Sequence, residues 1–147
     1  MTQKSVFLDT SFLVASQLTK HQFFERTKEL RLNFLSNATP LYTSYLVFDE
    51  FWYVLLGILR SRIGSDTLTI YNLIQKATTN VFSIKGLNLI NPSLLQKDLT
   101  NTLKIMYRYK LRPRDALIVT TMKTANIKLI ASFDADFDIV PGITRIY

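Results

Sequence analysis

The stretch Ser5-Val-Phe-Leu-Asp9 is a short apolar run that ends in a carboxylate. Near the other end of the chain, Lys128-Leu-Ile-Ala131 is a second such run, and Ser132-Phe-Asp134 follows it directly. Short runs that are apolar at successive positions are typical of strands buried on both faces, as in a parallel sheet. We therefore predict that both runs are strands of a parallel sheet, each followed closely by an aspartate.

Helical patterns and weaker strand candidates lie between these two runs. Helices are predicted for 10–18, 22–35, 44–59, 66–76, 92–107 and a last segment that begins at Pro113. Short strands are predicted for 41–43 and, more weakly, for 79–84 and 88–90, with Thr43 or Ser44 as the N-cap of the helix that follows 41–43. Such alternation predicts a three-layer α/β/α sandwich around a mainly parallel sheet of four or five strands.

The composition is that of a globular protein. The 147 residues are 48% hydrophobic and 20% charged, and we treat residues 1–147 as a single domain. The lack of cysteine excludes disulfides, thiolate zinc sites and cysteine nucleophiles, and it favours a cytoplasmic address. No uncharged apolar run reaches the roughly 18 residues of a membrane span, so we expect no membrane association.

The chain carries an excess of positive charge. Eighteen Lys and Arg against eleven Asp and Glu give a formal net charge of +7. This excess suits a polyanion such as nucleic acid. It is equally the property of any basic, soluble surface, so charge alone does not choose the partner.

Four acidic positions stand out from this background. Asp9 and Asp134 follow predicted strands, and ligands of an open parallel sheet bind beyond the carboxyl ends of its strands. Glu50 lies in the apolar stripe of a predicted helix, where the alternative is an ion pair with Arg60 or Arg114.

Asp115 is the fourth position, in the first turn of the helix that begins at Pro113. A carboxylate there also interacts favourably with the helix dipole, so capping remains an alternative to function. Carboxylates about 4 Å apart repel by roughly 4 kcal/mol per pair at an effective dielectric near 20. A cluster of the four would therefore need protons or a hard cation, and one or two Mg²⁺ or Mn²⁺ ions would meet that need.

In these residues the sequence resembles the PIN-domain family, and within it the compact VapC-type toxins of toxin–antitoxin pairs. The motifs that carry the resemblance occur in the family's order and span nearly the whole chain. They are Val6-Phe-Leu-Asp9-Thr-Ser11, Thr43-Ser44-Tyr-Leu-Val-Phe-Asp-Glu50, Arg114-Asp115-Ala116 and Ser132-Phe-Asp134-Ala-Asp136-Phe137. Each motif is weak alone, whereas the four in order are specific.

The resemblance implies an endoribonuclease in which a metal-activated water cuts RNA to leave a 3′-hydroxyl and a 5′-phosphate. It implies a protein antitoxin and a homodimer as partners. The implied catalytic and metal-binding residues are Asp9, Glu50, Asp115 and Asp134, with Asp136 as a fifth ligand or a substitute for Asp134; Thr10, Ser11 and Ser132 would orient ligands or water. The single histidine, His21, is interpreted as a surface residue.

The densest basic stretch runs into Asp115 and is interleaved with Tyr107 and Tyr109. Its members that we predict to bind RNA are Arg108, Lys110, Arg112 and Arg114. Such side chains hold phosphates, while tyrosines stack on unpaired bases. The alternative is a solvated helix end whose charges complement the helix dipole.

Other functions fit the sequence less well. A phosphoacceptor receiver needs a lysine after a later strand, and a phosphohydrolase needs a second aspartate where this chain has Ser11; neither pattern matches. Two alternatives within the same resemblance remain open. One is an RNA-processing PIN nuclease outside a toxin pair, and the other is a non-catalytic PIN-like module that binds RNA or protein.

Overall fold

A computed structural model describes residues 4–147 of the protein. Five parallel strands form one sheet in the order β3-β2-β1-β4-β5. The strands are β1 (Val6–Leu8), β2 (Leu41–Ser44), β3 (Leu87–Ile90), β4 (Leu129–Ala131) and β5 (Thr144–Ile146). Six helices flank the sheet: α1 (Thr10–Gln17), α2 (Phe24–Ser36), α3 (Tyr45–Ile63), α4 (Thr67–Phe82), α5 (Gln96–Tyr109) and α6 (Pro113–Thr124). The predicted parallel three-layer α/β/α fold is confirmed.

The central strand β1 explains why its sequence is apolar at every position. Val6, Phe7 and Leu8 are all buried, and β1 pairs with β2 on one side and β4 on the other. In β4, Ile130 and Ala131 are equally buried. A strand covered on both faces has no solvent side, and the period-two alternation of a half-exposed strand therefore disappears.

The strand predicted for 79–84 is wrong. Residues 79–82 form the last turn of helix α4, and residues 83–84 belong to the turn that follows it. The Asp66 carboxylate accepts a hydrogen bond from the Leu68 N–H at 3.3 Å and so caps the helix start. Ile70 is buried, Ile74 and Val81 pack in the core, and the three lie at helical spacing; this packing outweighs the β propensity of the last turn. The interval from Ile74 to Val81 is seven residues, or two helical turns.

Three further points concern the start of α5, a strand that was not predicted and the N-cap of α3. The fifth helix begins at Gln96 and not at Pro92; Asp98 accepts a hydrogen bond from the Leu95 N–H at 2.8 Å at this start. Strand β5 was not predicted, because three residues that include Arg145 give no recognisable strand pattern. At the start of α3, Ser44 occupies the N-cap position, but its hydroxyl makes no capping hydrogen bond.

The strand order places β1 beside β4 at the point where the direction of strand addition reverses. The chain leaves β1 toward β2 and β3, and later returns to add β4 and β5 on the other side. Loops at such a switch point diverge and leave a crevice at the carboxyl edge of the sheet. Within residues 4–147 no helix is long and apolar enough to cross a membrane.

Candidate metal centre

A cleft of about 780 Å³ opens at this edge of the sheet. Carboxylates from four separate segments line it: Asp9 after β1, Glu50 in α3, Asp115 in the first turn of α6 and Asp134 after β4. These are the four positions that the sequence singled out. The fold therefore brings together residues that lie as far apart as 125 positions in the chain, from 9 to 134.

Asp9 is the most deeply placed of these carboxylates and is only 4% exposed. It is the N-cap of α1, and its Oδ2 accepts hydrogen bonds from the hydroxyls of Ser11 at 2.8 Å and Ser132 at 2.7 Å. Burial raises the pKa of the Asp9 carboxyl, and the serine hydrogen bonds act in the opposite direction. A buried carboxylate held in this way is oriented but not neutralised.

The same two serines connect Asp9 to the loop after β4. The Phe133 N–H donates to the Ser11 hydroxyl at 3.0 Å, and the Asp134 N–H donates to the Ser132 hydroxyl at 3.0 Å. The two hydroxyls lie 3.1 Å apart. Through this network the position of Asp134 depends on that of Asp9.

Glu50 lies at the rim of the cleft. Its Oε2 accepts a hydrogen bond from the Thr10 hydroxyl at 2.9 Å, and its Oε1 lies 3.5 Å from the Arg114 guanidinium. The same guanidinium donates to Asp49 at 3.1 Å. The side chains of Glu50 and Arg114 are 27% and 39% exposed. The ion pair raised as an alternative for Glu50 is therefore present, but at a solvated rim.

Asp115 has the least satisfied environment. Its Oδ2 is buried and has no hydrogen-bond partner among residues 4–147. Burial first, and then the negative charges of Asp134, Asp9 and Glu50, together raise the pKa of Asp115 to about 6. Favourable interaction with the helix dipole does not explain an oxygen that receives no hydrogen bond.

Asp136 joins the cluster beside Asp134. Carboxylate oxygens of Asp115, Asp134 and Asp136 all lie within 4.8 Å of one another. Asp134 also accepts a hydrogen bond from the Asp136 N–H at 3.0 Å, as the N-cap of a short 3₁₀ helix, Ala135–Ile139. Asp9 and Glu50 line the same cleft but lie outside this tight group of three.

The donor set suits a hard divalent cation. All five side chains offer carboxylate oxygens, which Mg²⁺ and Mn²⁺ prefer over nitrogen or sulfur. The unpartnered oxygen of Asp115 and the raised pKa values of Asp9 and Asp115 mark a site where negative charge lacks compensation. Asp9, Asp115, Asp134 and Asp136 are the residues that would hold the ion, with Glu50 at the rim.

A known protein family matches most of this chain. The family profile of the PIN domain matches residues 6–143. The chain belongs to the PIN-domain family. No curated protein is similar enough in sequence to give a match.

Solved structures share the fold of this PIN domain at low sequence identity. VapC20 of Mycobacterium tuberculosis, a toxin that cleaves the sarcin–ricin loop, is 20% identical with a TM-score of 0.64, over 91% of this chain and 93% of that one. VapBC2 of Rickettsia felis, bound to a promoter DNA fragment, is 16% identical with a TM-score of 0.66, over 96% of each chain. DNA-bound VapBC of Salmonella typhimurium is 14% identical with a TM-score of 0.65, over 98% of each chain.

The structure divides the basic residues of this PIN domain into two groups. Arg112 and Arg114 line the cleft beside the carboxylates. Arg108 instead borders a separate surface hollow with Leu103 and Tyr107, and Lys110 ends α5 in a left-handed conformation with φ 52°. Only half of the predicted RNA-binding set therefore lies at the candidate site.

His21 and Phe23 are among the cleft-lining residues that sequence reasoning missed. Both belong to the turn between α1 and α2, and both are half-buried. Their approach to the cleft depends on how α2 folds back against α1. No local spacing or motif in the sequence signals it.

Proposed function

We propose that this PIN domain is a Mg²⁺- or Mn²⁺-dependent endoribonuclease and the toxin of a VapBC-type toxin–antitoxin pair. The observation that carries the proposal is the cluster of carboxylates that includes Asp115, a residue with one buried oxygen that has no hydrogen-bond partner among residues 4–147. Such a cluster is unfavourable without a cation, and a protein gains little from maintaining it for stability alone.

The side chains have separate roles in this proposal. Asp9, Asp115 and Asp134, with Asp136 as a further ligand, hold the metal, while the Ser11 and Ser132 hydroxyls keep Asp9 in place. A bound divalent ion supplies charge neutralisation and a water of lowered pKa as the nucleophile. Thr10 orients Glu50 at the rim.

Arg112 and Arg114 line the same cleft and would bind the RNA substrate. Their guanidinium groups bind non-bridging phosphate oxygens of the RNA backbone. Arg114 already pairs with Glu50 and Asp49, so it exchanges a carboxylate partner for a phosphate when RNA binds. Hydrolysis then leaves a 3′-hydroxyl and a 5′-phosphate.

The toxin role is supported by the solved VapC20 and VapBC structures that share the fold. By this analogy we propose a protein antitoxin, a homodimer and a cytoplasmic location. Exposed aromatic side chains of α3, Trp52 and Tyr53, are available for a protein partner. A short neighbouring reading frame that encodes a DNA-binding protein would support this part of the proposal.

Cleavage of a defined RNA tests the nuclease proposal. A hairpin with a single-stranded loop is incubated with the protein in Mg²⁺, Mn²⁺ or EDTA, and the ends of the products are analysed. We expect cleavage with either ion, none in EDTA, and 5′-phosphate ends. A single 2′-deoxy substitution at the cut site leaves the rate nearly unchanged, because water and not the 2′-hydroxyl attacks. Cyclic phosphate ends, or cleavage that persists in EDTA, would contradict the mechanism.

The two groups of basic residues give a separate prediction. Arg112→Gln is expected to weaken RNA binding and to reduce the slope of log K against log salt by about 0.7, the value for one phosphate of a single strand. Arg108→Gln is the matched control, because Arg108 is also exposed but borders a different hollow. Binding titrations at several salt concentrations provide the slopes. An equal reduction by the two substitutions would mean that RNA also follows α5.

A further inference from the structure

A column of three aromatic rings runs from the core to the cleft. The buried ring of Phe12 lies 6.2 Å from the Phe133 ring at an interplanar angle of 13°. Phe133 in turn stacks on Phe23, with centroids 4.2 Å apart and an angle of 10°. Phe133 and Phe23 both line the cleft. Because Phe133 lies between Ser132 and Asp134, the column is attached to the loop that carries a candidate metal ligand.

Phe23 is the outermost ring of this column. One face packs on Phe133, and the residue is only half-buried, so part of the ring is accessible from the cleft. The neighbouring His21 ring is 5.8 Å away and tilted by 43°, so the two rings diverge. A fourth planar group, stacked on Phe23, would extend the column.

His21 is held in one orientation by its own turn. Its backbone N–H donates to the Leu18 carbonyl at 2.8 Å, and its carbonyl accepts from the Phe24 N–H at 2.9 Å. The Phe23 N–H donates to its Nδ1 at 3.2 Å. Since Nδ1 is an acceptor, the neutral ring carries its proton on Nε2, and no hydrogen bond among residues 4–147 engages that N–H.

We propose that Phe23 and His21 form a nucleobase subsite for the unpaired nucleotide beside the scissile phosphate. The proposal rests on the proposed ribonuclease function and names its substrate class. The base stacks on Phe23, and the His21 Nε2–H donates to an oxygen of the same nucleotide. Arg112 and Arg114, which also line the cleft, bind the phosphates. A base inside a duplex has both faces covered, so the subsite selects single-stranded or looped RNA.

Binding is tested without cleavage in the Asp9→Asn background with Mn²⁺. The probe is a fluorescein-labelled single-stranded RNA of about 12 nucleotides, with a series in which each base in turn is removed to leave an abasic nucleotide. Phe23→Leu removes the aromatic ring on which a base would stack, whereas Phe23→Tyr keeps a ring of similar size. Phe24→Leu is the matched control, because Phe24 is the adjacent, half-buried phenylalanine but does not line the cleft.

We expect Phe23→Leu to weaken RNA binding about 10-fold or more, and Phe23→Tyr and Phe24→Leu to leave it nearly unchanged. One abasic position weakens binding to the parent protein by a similar factor but does not weaken binding to the Phe23→Leu variant further. His21→Leu weakens binding roughly 3- to 10-fold, and His21→Gln restores it by keeping a donor. Circular dichroism checks that each variant is folded, and Mn²⁺ titration checks that its metal affinity equals that of the Asp9→Asn parent.

Binding of unchanged strength by Phe23→Leu, or an abasic scan in which no position matters, overturns the subsite. The column is then packing or a surface for a protein. Failure of the subsite can be distinguished from failure of the proposed nuclease function. If the unsubstituted protein cuts no RNA but shows the base-dependent binding, the subsite stands and the nuclease fails. If it cuts RNA and the Phe23 variants bind normally, only the subsite fails.

Discussion

Replacing Asp9 by asparagine is expected to lower the rate of RNA cleavage by about 10³-fold or more. Asp9 is the most buried carboxylate of the cleft, and under the proposed function its loss would remove an anionic ligand from the metal. Loss of groups that only support a metal ligand typically reduces activity or affinity 10- to 100-fold, and we expect the ligand itself to matter more. The measurement is single-turnover cleavage of the hairpin RNA in Mg²⁺ and in Mn²⁺.

The fold is expected to survive this substitution. The asparagine carbonyl can replace Oδ2 as the acceptor for Ser11 and Ser132, so the network to the β4 loop remains. Asp98→Asn is the matched control, because the capping bond from the Leu95 N–H needs only an oxygen acceptor and Asp98 lies away from the cleft. Cleavage by the folded Asp9→Asn protein at a rate close to that of Asp98→Asn would rule out Asp9 as a ligand that catalysis needs.

Divalent ions are expected to raise the melting temperature of the protein, and Asp115→Asn to abolish most of this rise. A ligand at 100 times its Kd stabilises the folded state by about 2.7 kcal/mol. For a protein of this size that is an increase of roughly 5–10 °C. Thermal unfolding in EDTA, Mg²⁺ and Mn²⁺, with Ca²⁺-free buffers, measures it. An equal rise in the Asp115→Asn variant would place the ion elsewhere.

In the metal-free protein, Asp115→Asn is expected to raise the melting temperature. The pKa of Asp115 is about 6 in the folded protein against 3.8 ordinarily. A carboxyl whose pKa is raised on folding contributes stability below its unfolded pKa, and this contribution is lost as the pH rises through about 6. In EDTA at pH 7.5, Asp115→Asn is therefore expected to unfold at a higher temperature than the unsubstituted protein, and the difference should disappear below about pH 4.

Asp138, in the 3₁₀ helix Ala135–Ile139, is a control whose pKa is lowered where that of Asp115 is raised. Its carboxylate accepts two hydrogen bonds from Arg145, at 2.8 and 2.6 Å, and this contact lowers the pKa of Asp138. Asp138→Asn is thus expected to destabilise the protein at pH 7.5, with or without metal. Destabilisation by Asp115→Asn in EDTA would show that the Asp115 carboxylate makes a favourable interaction and is not the strained member of the cluster.

Most of the fold was predictable from local patterns, because buried positions are occupied by apolar residues at the spacing of a strand or a helix. Residues 6–8 and 129–131 are apolar throughout, since both faces of β1 and β4 are covered. The errors occurred where local preference and packing differ. The β-branched and aromatic residues near Val81 favour a strand, yet the helical spacing from Ile70 onward places Val81 in the core. Strand β5 is defined by its parallel pairing with β4, a tertiary contact that its three residues do not signal.

The sequence by itself determined the parallel fold and the four carboxylate positions, because a carboxylate after a buried strand or in an apolar helical stripe has few structural reasons to be there. Only the tertiary structure decided how those carboxylates are compensated: Asp9 by two serines, Glu50 by Arg114, and Asp115 at one oxygen by no described residue. It also decided that Phe23 and His21 border the cleft. Apart from the Asp9–Ser11 hydrogen bond, these contacts join residues 64 to 123 positions apart in the chain, and contacts between such distant positions leave no periodicity in the sequence.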